Sequence, residues 1–138
     1  MVFNTYQCYL KDSETRILRH LNLARAKNYK FATKLVRGAY MVHERREAKR
    51  LGVPSPVHET KADTDANYNA CVRHVLETSR EDGSAIMVAS HNADSLQTTA
   101  NLMADLGIPA DDANVAFAQL LGMADPLTLP LGQVCLSL

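Results

Sequence analysis

Apolar positions along the chain switch repeatedly between the two-residue period of a strand and the 3.6-residue period of a helix. Val2 to Leu10 is rich in β-branched and aromatic residues and ends at the polar Lys11-Asp12-Ser13. It predicts a strand, then a helix capped at Asp12 or Ser13, whose side chains accept from the free amides of a first turn. In that helix Ile17, Leu18, Leu21 and Ala24 share one face. Phe31 to Val36 predicts a second strand closed by Gly38, and Tyr40 to Leu51 a helix that stops at Gly52. Val53-Pro54-Ser55-Pro56-Val57 reads as a rigid loop, because each proline removes an amide donor and fixes its own φ.

The helical period is clearest in Tyr68, Cys71, Val72, Val75 and Leu76, a run that Gly83 ends. Ala85 to Ala89 is a short apolar stretch between turn residues, as expected of a strand buried on both faces. Leu96, Thr99, Ala100 and Met103 stripe another helix, stopped by Gly107-Ile108-Pro109, and Val115 to Ala118 predicts a fourth strand. The order β-α-β-α-α-β-α-β implies parallel strands joined by crossover helices. Each βα unit takes roughly 30 residues, as in a (β/α)₈ barrel of about 250 residues. The expected fold is therefore α/β, about half of a TIM-type βα-barrel, with residues 1–138 forming one incomplete barrel domain. An open doubly wound sheet competes, but its G-x-G-x-x-G phosphate turn is absent.

Composition narrows the class without naming a reaction. The 15 basic and 15 acidic side chains balance, which argues against a general nucleic-acid binder. At 46% hydrophobic and 22% charged residues the chain reads as globular, with no apolar run of membrane-spanning length and no leader-like start. Cys8, Cys71 and Cys135 show no C-x-x-C spacing, so neither a disulfide framework nor a zinc site is expected, and a reducing compartment is the easier reading.

Candidate chemistry lies at the C-terminal ends of the strands. Gln7 and Tyr9, Arg37-Gly38-Ala39-Tyr40, Ser90-His91-Asn92 and Gln119 all fall there. In a βα-barrel those ends open onto one face, which carries the active site. Strand ends are also polar because they meet water, so it is the repetition that counts. Gly38 and Ala39 allow close backbone approach to a flat or anionic ligand, and the amides of a following helix start favour negative charge. Other clusters are weaker. His43-Glu44-Arg45-Arg46-Glu47 begins like a zinc-binding helix but lacks the second histidine, and interleaved charges there fit a solvated helix better than an RNA contact. Asp63, Asp65 and Asn67 mimic the start of a calcium loop, yet Tyr68 and His74 occupy the glycine and glutamate positions. His20, His58 and His74 carry no argument, and no nucleophile–base pair is assigned.

The run Lys34-Leu35-Val36-Arg37-Gly38-Ala39-Tyr40, with Glu44-Arg45 beyond it, resembles the signature of the proline dehydrogenase family. Thr5-Tyr6-Gln7-Cys8-Tyr9-Leu10 is similar to the family's preceding strand, Val88-Ala89-Ser90-His91-Asn92 to the next, and Phe117 to Asp125 to the one after. The motifs come in family order over Val2 to Gln133, and their wording is closest to the eukaryotic branch, which includes hydroxyproline dehydrogenase. The resemblance implies a distorted βα-barrel that binds FAD non-covalently. It further implies oxidation of L-proline to Δ1-pyrroline-5-carboxylate, transfer of electrons to quinone, and a mitochondrial location on the matrix side of the inner membrane. Carried over position by position, Gln7 meets the pyrimidine edge of the flavin. Lys34 stands near its ring as a catalytic group, and Val36, Arg37, Gly38 and Ala39 contact the cofactor. Tyr40 packs beside the substrate ring as the second catalytic position. Thr60 and Lys61 fall in the loop that reaches the FAD tail, Ser90, His91 and Asn92 replace a Thr-His-Asn at the flavin, and Gln119 adds a further cofactor contact. No metal is implied.

Two departures accompany the match. Family members carry several βα units before the Gln7 strand, and a final helix whose paired arginines bind the proline carboxylate, where this chain reads Val134-Cys135-Leu136-Ser137-Leu138. The sequence thus reads as the central part of such an enzyme, with a catalytically inactive fragment that acts only by binding FAD, or by pairing its open sheet edges with a second copy or a longer subunit, as the alternative.

Overall fold

A computed structural model describes residues 2–119. The elements follow the expected order: β1 (Asn4–Gln7), α1 (Ser13–Lys27), β2 (Ala32–Val36), α2 (Met41–Leu51), α3 (Lys61–Asp82), β3 (Ala85–Ala89), α4 (Ala93–Leu106) and β4 (Val115–Ala118). The four strands form one sheet in the order β1-β2-β3-β4, and every neighbouring pair is parallel. Sequential order without reversal is how a barrel winds, whereas a doubly wound sheet reverses its order at a switch point. The chain is part of a TIM-type βα-barrel, as its periodicity implied.

Alternation along the strands separates two faces. Leu35, Ile86 and Val88 are fully buried against the helices, together with Ile17 and Leu21 of α1, Tyr68, Cys71, Val72, Val75 and Leu76 of α3, and Leu96, Leu102 and Met103 of α4. Lys34, Val36, Met87 and Ala89 point the other way and are only half-buried. The buried Thr33 hydroxyl is satisfied by donating to the Asn4 carbonyl (3.1 Å). The helix α3 lies across the buried face, and Asn67 ties it to the β1–α1 turn by donating to the Cys8 carbonyl (2.8 Å) and the Ser13 hydroxyl (2.7 Å). The proline loop closes over the same turn: Leu10 bridges Val57, and the Lys11 amide donates to the Pro56 carbonyl (2.8 Å).

Several local expectations are corrected. The first strand ends at Gln7, because Tyr9 and Leu10 turn away to meet the proline loop instead of extending the sheet. Asp12 is the N-cap of α1 but makes no side-chain cap bond, and the Ser13 hydroxyl donates back to the Leu10 carbonyl (2.9 Å). Leu18 lies off the buried stripe, 39% exposed, and the true stripe is Ser13, Ile17, Leu21 and Ala24. One position C-terminal to Ile17 is a 100° rotation, enough to leave the interface. In α4 Ala100 is exposed and Leu102 is buried in its place. Helix α3 begins seven residues before its apolar stripe, because Thr60 and Asp63 form a capping box, each side chain bonding the other's backbone amide.

Two substitutions separate the buried face from the mistaken one. Leu35→Ala is expected to cost about 2–5 kcal/mol of folding free energy through the cavity it leaves. Leu18→Ala should stay within about 0.5 kcal/mol of the parent. Urea unfolding followed by circular dichroism measures both.

Candidate functional site

A cleft of about 550 Å³ opens at the C-terminal ends of β2, β3 and β4, on the half-buried face of the sheet. Lys34 and Val36 of β2 form one wall, Ala89 and Ala118 the floor beyond it, and Arg37-Gly38-Ala39, Ser90-His91-Asn92 and Gln119 the rim. Lys61 and Asp65 reach it from the first turns of α3. The turn after β2 depends on Gly38, whose φ of +88° falls where side chains with a Cβ are strained. A Cβ there would meet nothing within 4 Å, so it is backbone conformation and not crowding that demands glycine.

Arg37 organises the cleft. Its guanidinium lies 3.9 Å from the centroid of the Tyr68 ring, a cation–π contact from the face of the core. Nη1 donates to Asp65 in an ion pair that is largely shielded from solvent, and Nη2 donates to the Ser90 hydroxyl (3.1 Å). Ser90 in turn accepts from the Asn92 amide (3.1 Å), and Asn92 caps α4 by accepting from the Ser95 amide (2.9 Å). Gln119 reaches across from the end of β4 to donate to the Ser90 carbonyl (3.3 Å). Asp65 also accepts from Lys61 one turn earlier. Burial pushes the Asp65 carboxyl up, but the Lys61 hydrogen bond and the Arg37 charge outweigh it and hold the group below its ordinary value. Burial pushes the Tyr68 phenol well up, with Arg37 opposing, so the ring stays neutral.

Among the described residues five buried side-chain polar atoms lack partners, and two of them concern the cleft. Gln7 Oε1 is a buried acceptor, and Arg37 Nε–H a buried donor. Gln7 is level with Val36 on the adjacent strand, and residues in register across parallel strands share a face. Since an unmade buried hydrogen bond costs about 1–3 kcal/mol, a ligand with both donor and acceptor edges would gain at each; Arg37 lines the cleft, whereas Gln7 does not and lies on the strand beside its lining residue Val36. A flavin ring has such an edge, so Gln7, Lys34 and Arg37 fit that group. Among the described residues no cluster of three or more His, Cys, Asp or Glu side chains is placed to hold a metal ion.

The structure gathers most of the residues picked out by sequence. Lys34, Val36, Arg37, Gly38, Ala39, Lys61, Ser90, His91, Asn92 and Gln119 line one cleft. Tyr40 is not among them: it is the N-cap of α2, 62% exposed, and lines a neighbouring depression with Met41, Val42 and His43. Thr60 is committed to the capping box of α3 and does not line the cleft. Tyr9 is buried beneath the proline loop. Asp65 and Tyr68 were missed as site residues. Their signal was available: Lys61, Asp65 and Tyr68 are spaced four and three apart and so share a helix face.

Asp65 supplies a pH prediction. Its folded value is lowered, so its contribution to stability is full above the unfolded carboxylate value near 4 and is lost as pH falls through the folded one. Thermal unfolding across acid pH should show this loss in the parent chain and a shallower loss in Asp65→Asn.

Relatives agree with the geometry. The family model for proline dehydrogenase matches residues 1–135. Human mitochondrial proline dehydrogenase 1 is 43% identical over 134 residues, covering 96% of this chain and 22% of the human protein. A hydroxyproline dehydrogenase of Xenopus laevis is 40% identical over 134 residues, covering 96% of this chain and 29% of that protein. Among solved structures, proline utilization A (PutA) from Bdellovibrio bacteriovorus inactivated by N-propargylglycine superposes with a TM-score of 0.81 at 34% identity, over 89% of this chain and 12% of that one. The chain therefore spans less than a third of either curated relative's length. With the sheet order, the cleft at the strand ends and the match over nearly the whole sequence in accord, this chain belongs to the proline dehydrogenase family.

Proposed function

We propose that the cleft is the flavin side of an FAD-dependent dehydrogenase that oxidises L-proline to Δ1-pyrroline-5-carboxylate and delivers the electrons to quinone. The observation that carries this reading is Lys34 in the lining of the cleft, with an orphaned donor on Arg37 at its rim and an orphaned acceptor on Gln7 in the strand beside its lining residue Val36. FAD supplies the two-electron acceptor when bound. Lys34 projects from the middle of β2 into the cleft and makes no ion pair among the described residues. It places positive charge where electrons from a substrate would accumulate, and a fixed cation in a poorly solvated site favours that charge without reorganisation. Gln7 would accept from a ring N–H, Arg37 would donate to the ring or its substituents, and the small side chains of Ala89 and Ala118 leave room for a flat ring. Tyr40 and Thr60 are assigned to substrate packing and to the FAD tail on family resemblance alone. Their positions outside the cleft leave those roles to elements that adjoin it in a longer protein.

Hydroxyproline is the second substrate reading, favoured by relatives of that name at about 40% identity. The mitochondrial names of several relatives support a mitochondrial site of action, and the matrix side of the inner membrane rests on the family resemblance alone. Among the described residues no helix is long and apolar enough to cross a membrane. The four described strands are half the number of an eight-stranded barrel; we assign its completion to further elements of a longer protein, with self-association through the edge of β1 as the alternative arrangement.

An anaerobic titration of the chain with FAD, then L-proline, tests the reading. FAD absorbance should shift on binding, and Lys34→Met in the complete enzyme should slow proline-dependent bleaching by about 10²-fold. A complete parent protein that carries no flavin and reduces no dye with either amino acid would sink the proposal.

A further inference from the structure

We propose that Asp65, Tyr68 and Ser90 form a clamp that positions Arg37, and that Asp65, acting through Arg37, sets how tightly the cleft holds the flavin. This rests on the flavin reading of the cleft. Asp65 and Tyr68 lie on α3, outside the strand ends that carry the family motifs.

Arginine has long, rotamer-rich geometry, and an unrestrained one loses that freedom when a ligand binds. Arg37 has already lost it. The Tyr68 ring lies against its flat face, Asp65 takes Nη1 and Ser90 takes Nη2, so the plane of the guanidinium is fixed in three directions. Only 14% of the side chain is exposed. The clamp is itself anchored. Tyr68 is fully buried and its hydroxyl donates to the Leu35 carbonyl, Ser90 sits at the end of β3, and Asp65 is held from its other side by Lys61. What the clamp leaves over is Nε–H, buried and without a partner.

Charge and positioning give opposite signs for the removal of Asp65. If the carboxylate served only to neutralise Arg37 and Lys61, Asp65→Asn would leave the cleft more positive and an FAD dianion would bind more tightly. If Asp65 positions Arg37, the same substitution frees the guanidinium and FAD binds more weakly, because a charge-assisted hydrogen bond and its alignment are lost together. The sign of the change decides between them.

The test measures FAD affinity by fluorescence quenching for the parent chain, Asp65→Asn and Asp65→Glu, with ¹H–¹⁵N spectra of the arginine Nε–H region. The Arg37 resonance is assigned by its absence in Arg37→Lys. The clamp predicts a protected Arg37 Nε–H in the parent, its loss in Asp65→Asn, affinity weakened by about tenfold, and partial recovery in Asp65→Glu. A folded Asp65→Asn that binds FAD as tightly as the parent, or more tightly, overturns it. Should Asp65→Asn not fold, Ser90→Ala removes one arm alone, and unchanged affinity with an unchanged Nε–H signal overturns the clamp. A parent that binds FAD but shows a mobile, unprotected Arg37 sinks the clamp and spares the flavin reading. A parent that binds no FAD, with a protected Nε–H that Asp65→Asn abolishes, sinks the flavin reading and upholds the clamp as a structural device.

Discussion

The contact between the Arg37 guanidinium and the Tyr68 ring is where the hydrophobic core and the cleft become one structure. Tyr68 belongs to the buried cluster between α3 and the sheet, and its hydroxyl reaches the backbone of Leu35 in β2. Its ring is at the same time the surface on which Arg37 rests. Packing on the back of the sheet therefore dictates the direction of a charge on its front. A stacked cation on a fully buried ring is held by dispersion and by the ring quadrupole together, and both weaken quickly with a small displacement.

Helix α3 carries that dependence through the rest of the molecule. Within two turns it supplies Lys61 and Asp65 to the cleft, Asn67 to the β1–α1 turn and Tyr68 to the core. These residues point in different directions from one rigid cylinder, so a shift of the helix would disturb all of them at once. The capping box at Thr60 and Asp63 fixes where the cylinder starts, and with it the height of Asp65 opposite Arg37. The burden on the helix N-terminus explains why Thr60 has no side-chain oxygen left to serve the cleft.

The two faces of the sheet follow from the same arrangement. Parallel strands need crossover connections, and the helices those connections supply cover one face. The other face, with Lys34, Val36, Met87 and Ala89, is the inward surface of a barrel. Lys34 is half-buried there and lines the cleft, and a lysine is suited to such a position because its stem can lie along apolar surface while its charged end stays solvated. Alanines at the strand ends keep the space beside it open.

Much of this could be read from the residue pattern. Strand and helix periods are local properties, so the order of eight elements and their parallel pairing followed from Val2 to Ala118 without three-dimensional information. The repeated polar strand ends at Arg37, Ser90 and Gln119 pointed to one cleft, because a βα-barrel brings all such ends to one side. Boundaries and faces were less legible. Leu18 and Ala100 fit a stripe by count alone, and only the direction of approach of the sheet showed that neighbouring positions were the buried ones. The motif at Phe117 to Asp125 runs on past the described residues, so its part from Leu120 onward stands on sequence alone. The pairing of Arg37 with Asp65, 28 positions away, and with Ser90, 53 away, was invisible for a different reason. Charge and hydrogen-bonding capacity are written in the sequence, but which donor meets which acceptor depends on distance, and distance between remote residues exists only once the core has packed.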